Sequence, residues 1–127
     1  MKLRMTTNSI RIRVRKSELS ALSKDRLIQD TIEFPANTDL KFGLNISDGQ
    51  EKLSASLIDN YLKISISATE ADNWVNTNKV GIESYLKLDG EALLHLLVEK
   101  DFPCKDRLDE DKSDTFTELV NGEPPAC

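Results

Sequence analysis

The stretch SIRIRVR at residues 9–15 decides the fold, because its side chains alternate between aliphatic and charged at the two-residue period of a β-strand. The two faces are Ile10, Ile12 and Val14 on one side and Arg11, Arg13 and Arg15 on the other. The aliphatic face predicts contact with a hydrophobic core. The arginine face presents guanidinium groups, which are well suited to hold carboxylate or phosphate.

The composition around this stretch is that of one soluble domain. The chain has 127 residues, of which 39% are hydrophobic and 31% are charged. No run of about eighteen apolar residues is present, so we expect no membrane span. The basic N-terminus is not followed by an apolar segment, which predicts a cytoplasmic protein without a secretory signal. The two cysteines, Cys104 and Cys127, form no disulfide framework, and we expect free thiols.

Charge is distributed unevenly along the chain. Residues 1–16 contain six Lys or Arg and no acid, whereas residues 101–123 contain eight acids and three bases. A nucleic-acid surface with a competing acidic tail and an ion-paired contact between the two ends both fit this asymmetry. The net charge of −5 argues against nucleic-acid binding, which needs an excess of positive charge.

Short β patterns dominate the chain and predict its fold class. About seven strands are expected, with hairpin turns at Asp48-Gly49 and Asp89-Gly90. Two short helices are expected over residues 18–24, with Ser17 as N-cap, and over residues 68–76. Residues 92–100 fit a helix or a strand, and the preceding Asp-Gly turn favours the strand. We predict an α+β, β-dominated fold with a mostly antiparallel sheet that is bent or closed into a small barrel, and we see no internal repeat.

The domain is expected to end near residue 104. Residues 1–104 are predicted to form a single α+β domain, and residues 105–127 an acidic, flexible tail. The run at 109–114 begins like a calcium-binding loop, but Asp114 and Val120 stand where such a loop needs Gly and Glu. No metal site and no cofactor are therefore predicted.

Two patches at the ends of this domain carry a family resemblance. They are Lys2-Leu3-Arg4, Asn8-Ser9-Ile10-Arg11-Ile12-Arg13 and Ser17-Glu18 near the N-terminus, and Val98-Glu99-Lys100-Asp101-Phe102-Pro103-Cys104 near the C-terminus. Both patches resemble signatures of a family of small uncharacterised bacterial proteins. The glycine that usually follows the family's first strand is replaced by Thr6 or Thr7. The family has no assigned activity, so the resemblance implies a class and no chemistry.

Five residues form the predicted ligand-binding site. They are Arg11, Arg13, Arg15, Glu99 and Asp101. Arginines on one strand face can clamp a phosphate or carboxylate. Alternatively, they pair with the protein's own carboxylates, such as Glu33 or Glu99, on neighbouring strands. A third arrangement places them inside a barrel as a polyanion site, similar in architecture to triphosphate-tunnel enzymes, although the Glu-x-Glu-x-Lys strand of those enzymes is missing.

Two classes of function follow from these residues. The preferred one is a small intracellular binding domain, monomeric or homodimeric, whose arginines meet a small anion or an acidic protein partner. The alternative is an enzyme that acts on a phosphorylated or carboxylated small molecule, with Arg11 and Arg13 binding the substrate and Glu99 as general base. His95 would lie too far from Glu99 along a strand for direct contact, and nothing near Cys104 in the sequence activates a thiolate.

Overall fold

The computed structural model describes residues 1–101 of the chain. The predicted tail over 105–127, the calcium-like run and both cysteines lie outside the described residues. Eight strands and two helices follow one another in this order: β1 (Lys2–Thr6), β2 (Ser9–Val14), α1 (Lys16–Asp25), β3 (Leu27–Phe34), β4 (Thr38–Ser47), β5 (Leu53–Ile58), β6 (Tyr61–Ser67), α2 (Ala68–Asn76), β7 (Gly81–Lys87) and β8 (Leu93–Lys100).

The strands form two four-stranded sheets. Sheet A has the order β1-β2-β8-β7, and sheet B has the order β3-β4-β6-β5. The outer pairs are antiparallel, while the central pairs β2–β8 and β4–β6 are parallel. The predicted α+β, β-dominated and mostly antiparallel fold is confirmed. The described sheets do not close into a barrel, so the barrel alternative, with arginines inside it, is wrong.

The two halves of the described chain share one order of elements. Each half consists of a hairpin, a helix and a second hairpin. Each sheet joins the first hairpin of one half to the second hairpin of the other through the central parallel pair. The sequence shows no internal repeat, and the repetition is visible only in the order and pairing of the elements. The repeat is hard to see in the sequence because the halves share a hydrophobic pattern rather than residue identities, as Leu22 and Trp74 illustrate at equivalent helix positions.

The hydrophobic core lies between the sheets, and one helix from each half packs into it. The buried core residues are Ile12, Val14, Ile82, Leu96 and Val98 from sheet A; Phe42, Leu44, Leu53, Leu62, Ile64 and Ile66 from sheet B; and Leu22, Ala71 and Trp74 from the helices. Side chains from both sheets and both helices therefore share one hydrophobic core.

The two helices begin differently at their N-cap positions. The predicted helix over residues 68–76 is confirmed as α2, where the Ser67 hydroxyl accepts a hydrogen bond from the Glu70 amide at 3.3 Å. Helix α1 begins two residues earlier than expected, with Arg15 rather than Ser17 as N-cap. Neither helix is long and apolar enough to cross a membrane.

Of the two hairpin turns predicted at Asp-Gly sequences, one forms and one does not. Asp89-Gly90 lies between the antiparallel strands β7 and β8, and Gly90 has a φ of 89°, as predicted. Asp48-Gly49 does not form the predicted hairpin, because β6 lies between β4 and β5 and the loop is a crossover. The turn residues specify a local bend, but the parallel contact of β4 with β6 decides the neighbour. The strand alternative for residues 92–100 is confirmed by β8.

We predict that Leu22→Ala lowers the free energy of unfolding by about 2–5 kcal/mol, because it leaves a cavity beneath α1. Leu22 is fully buried in the core. The measurement is chemical denaturation followed by the fluorescence of Trp74. Leu57→Ala is the matched control, because the Leu57 side chain is 69% exposed and its loss should change stability by less than about 1 kcal/mol. Equal effects of the two variants would contradict the core assignment.

Candidate functional site

The arginines of β2 project from the surface of sheet A that faces away from the core. Ile12 and Val14 are buried in the core, so the alternate residues of the strand lie on the outer face. We call this outer surface, from β1 to β8, the arginine face; its charged residues are Lys2, Arg4, Arg11, Arg13, Glu99 and Asp101. The register of sheet A places Arg11 opposite Arg4 on β1. It also places Arg13 between Lys2 on β1 and Glu99 on β8.

Glu99 is the centre of this arrangement. Its Oε1 accepts hydrogen bonds from Arg11 Nε at 2.6 Å and from Arg13 Nε at 2.8 Å. The Glu99 side chain is 9% exposed, Arg13 is 12% exposed and Arg11 is 17% exposed. Charged groups buried to this extent need partners of opposite charge. Here the Glu99 carboxylate is the partner of both guanidinium groups. The alternative in which the arginines pair with the protein's own carboxylates is thus realised through Glu99, whereas Glu33 lies on β3 of sheet B.

Asp101 lies at the edge of the same face, but Arg15 has left it. The Asp101 carboxylate lies 3.1 Å from Lys2 Nζ, and the Asp101 amide donates to the Val14 carbonyl at 2.7 Å. Strand β2 ends at Val14, and Arg15 instead occupies the N-cap position of α1, where its amide donates to the Glu18 carboxylate and its side chain is 70% exposed. The structure therefore brings together Arg11, Arg13 and Glu99, adds Asp101 through Lys2, and separates Arg15.

Lys2 and Arg4 belong to the arginine face, although neither was part of the predicted ligand-binding site. Both are exposed on β1, which pairs with β2 in antiparallel register. Their alternation with Leu3 and Met5 was the available signal, since it places both cations on one side of a strand. With them, four cations and two carboxylates share this face.

The other predicted side chains form a separate contact or no site. His95 Nε2 lies 2.8 Å from Glu83 Oε2, and its ring stacks on Tyr85 with centroids 4.6 Å apart. Within residues 1–101, no group of three or more His, Cys, Asp or Glu is arranged to hold a metal ion. The Oε1 atom of Glu99 is already engaged by two guanidinium groups, an arrangement that orients the arginines rather than leaving that oxygen free to accept a substrate proton.

A second carboxylate cluster anchors the start of the chain to α1. Glu18 contacts the Met1 ammonium group and accepts a hydrogen bond from the Arg15 amide at 2.9 Å. Asp30 Oδ2 lies 3.6 Å from the same ammonium group. Partial burial raises the pKa of Glu18, but hydrogen bonds from the ammonium group and from Arg15, together with the ammonium charge, outweigh it and leave the pKa below its ordinary value of 4.5.

We predict that Glu99→Gln lowers the free energy of unfolding by about 3 kcal/mol, because it leaves two largely buried guanidinium groups without their shared carboxylate. The measurement is chemical denaturation at neutral pH. Glu33→Gln is the matched control on an exposed edge strand of sheet B, with an expected change below about 0.5 kcal/mol. A change of that small size for Glu99→Gln would contradict the structural role of the ion cluster.

We predict that Glu18 makes folding stability depend on acid pH. Because its pKa is lowered in the folded state, its contribution is present above pH 4.5 and is lost as the pH falls through the folded-state value. Comparison of denaturation curves for the wild type and Glu18→Gln across this range should show a shallower decline in the variant. Parallel curves for the wild type and Glu18→Gln would refute the assignment.

Comparison with known proteins gives the chain a family and no activity. No curated protein and no solved structure matches the chain. The model of the family of unknown function DUF7009 matches residues 1–119, which is most of the chain. The predicted relationship to a family of unknown function is confirmed, and the chain belongs to the DUF7009 family.

Proposed function

We propose that this protein is a small binding domain whose arginine face recognises a carboxylate-rich segment of an acidic protein partner. The observation that carries the proposal is the collection of four cations and two carboxylates on the arginine face, which spans β1, β2 and β8, in a chain with a net charge of −5. The proposal requires a positively charged surface. It does not require an unpaired guanidinium group, because an incoming carboxylate can join ion pairs that already exist.

The spacing of the cations favours an extended ligand over a single small anion. Residues two apart on a strand are separated by about 6.5–7 Å, and neighbouring strands by about 5 Å. Lys2, Arg4, Arg11 and Arg13 therefore form a flat grid over β1 and β2. Several carboxylates along a peptide match such a grid better than one phosphate, which needs donors that converge on a point.

Glu99 supports recognition by fixing the geometry of this grid. Its Oε1 holds the Nε atoms of both Arg11 and Arg13, so two long side chains keep one conformation before a ligand arrives. Binding then costs less side-chain entropy than it would with freely rotating arginines. As part of the same proposal, the domain acts in the bacterial cytoplasm, in line with the family resemblance and with cysteines that form no disulfide framework.

We predict that the full chain binds a short oligoglutamate peptide and that Lys2→Gln with Arg4→Gln weakens this binding about tenfold, because two exposed cations are removed. The measurement is isothermal titration calorimetry at low salt, and the affinity should fall as the salt concentration rises. The control variant is Lys41→Gln with Lys63→Gln, which removes the same charge from the outer face of sheet B.

The control decides whether binding is local to the arginine face. Lys63 occupies on β6 the position equivalent to Arg11 on β2, and the control should leave the affinity within about twofold of the wild type. Equal weakening by both variants, or absence of peptide binding, would refute the proposal. If the protein binds inorganic phosphate and does not bind the peptide, the proposed acidic protein partner is wrong and the ligand is a small anion.

A further inference from the structure

A second site lies where the carboxyl ends of β2 and β8 meet both helices. This cavity has a volume of about 610 Å³, within the range of small-molecule pockets. Its apolar surface comes from Val14, Leu19, Val75 and Val80. Val80 is 48% exposed, so part of this apolar surface is open to solvent. Arg11, Arg13 and Glu99 do not line this cavity.

The rim of the cavity is positively charged. Lys16 makes no ion pair with any residue in the described part of the chain, and Lys100 Nζ donates to the Thr77 carbonyl at 2.8 Å rather than to a carboxylate. The two other charged residues of the rim already have partners, since Arg15 pairs with Glu18 and Asp101 pairs with Lys2. The rim therefore keeps two positive charges that no described carboxylate balances.

The equivalent position in the second half of the fold has different chemistry. A cavity of about 480 Å³ lies there at the start of α2, beside the carboxyl ends of β4 and β6. It is lined by Asp48, Gly49, Lys52, Ser67 and Glu70 among others, and no large apolar side chain contributes to it. The apolar floor and cationic rim of the cavity beside α1 therefore come from its own side chains and not from the repeated topology.

We propose that the cavity beside α1 binds a free amphiphile with an aliphatic chain and a single carboxylate, of the size of a medium-chain fatty acid. The chain would cover Val75 and Val80, and the carboxylate would lie between Lys16 and Lys100. Apolar burial supplies most of the affinity in such a site, and the two ammonium groups select the sign of the head group. This site shares only Asp101 with the arginine face, and the substitutions that test the two proposals lie elsewhere, so either proposal can fail without the other.

Trp74 provides a reporter for this site. It is the only tryptophan of the chain, it is fully buried, and its Nε1 donates to the Val80 carbonyl at 3.0 Å. A ligand that contacts Val80 therefore lies next to the indole. Titration of the full chain with decanoate below its micelle concentration should give a saturable change in tryptophan fluorescence, together with a rise in the thermal unfolding temperature.

The test compares two charge insertions of equal size. Val80→Glu places a carboxylate in the cavity and should weaken decanoate binding at least about tenfold through apolar loss and like-charge repulsion. Leu88→Glu is the matched control, because Leu88 is 46% exposed and lies beyond the other end of β7. It should leave the affinity within about twofold of the wild type. Circular dichroism of both variants checks that they are folded.

The head group is tested with decyltrimethylammonium, which has the same chain and the opposite charge. It should bind at least about tenfold more weakly than decanoate. Binding of both amphiphiles with equal affinity would overturn the role of Lys16 and Lys100. Absence of saturable decanoate binding by both fluorescence and thermal unfolding, or equal weakening by Val80→Glu and Leu88→Glu, would overturn the site itself.

Discussion

The parallel pairing of β2 with β8 is the constraint on which the rest of the structure depends. It joins residues near opposite ends of the described chain, since Arg11 and Glu99 are 88 positions apart. The same ladder places Ile12 beside Val98 in the core and Arg13 beside Glu99 on the outer face. A slip of one residue would exchange these faces and bury guanidinium groups among aliphatic side chains. Core packing and the ion cluster therefore favour the same register.

The repeated topology shows how one scaffold carries two different outer surfaces. Ser65 and Asn45 are neighbours on the central strands of sheet B, at the position equivalent to Arg13 and Glu99 of sheet A. There the Ser65 hydroxyl donates to Asn45 Oδ1 at 2.5 Å. Both pairs satisfy polar groups in the middle of a sheet, but only the pair in sheet A is charged. The scaffold fixes the position of the pair, and the side chains determine what it can recognise.

Sequence patterns predicted the features of this fold that depend on neighbouring residues. The alternation in β2 and the capping residues of α2 are local, and both elements form where they were expected. The hairpin at Asp48-Gly49 and the barrel were wrong because strand order depends on contacts between distant segments. Arg15 was misplaced for a related reason: the alternation continues through it in the sequence, but the chain turns into α1 after Val14.

The partner of the arginines was only partly predictable. A cross-strand carboxylate was expected, and both Glu33 and Glu99 fitted the alternating pattern. The choice between them depends on which strand is adjacent to β2, and the parallel pairing with β8 decides in favour of Glu99. The contribution of β1 was missed for the same reason, because only the antiparallel register shows that Lys2 and Arg4 lie beside the arginines of β2.

The end of the β2–β8 ladder also connects the arginine face to the cavity beside α1. Asp101 takes part in both, because its carboxylate pairs with Lys2 while the residue also lines the cavity. Its amide continues the ladder by donating to Val14, whose side chain forms part of the cavity floor. A substitution at Asp101 would therefore disturb both surfaces at once. Arg4 and Val80 each belong to one surface, so changes at these residues test the two proposed binding sites separately.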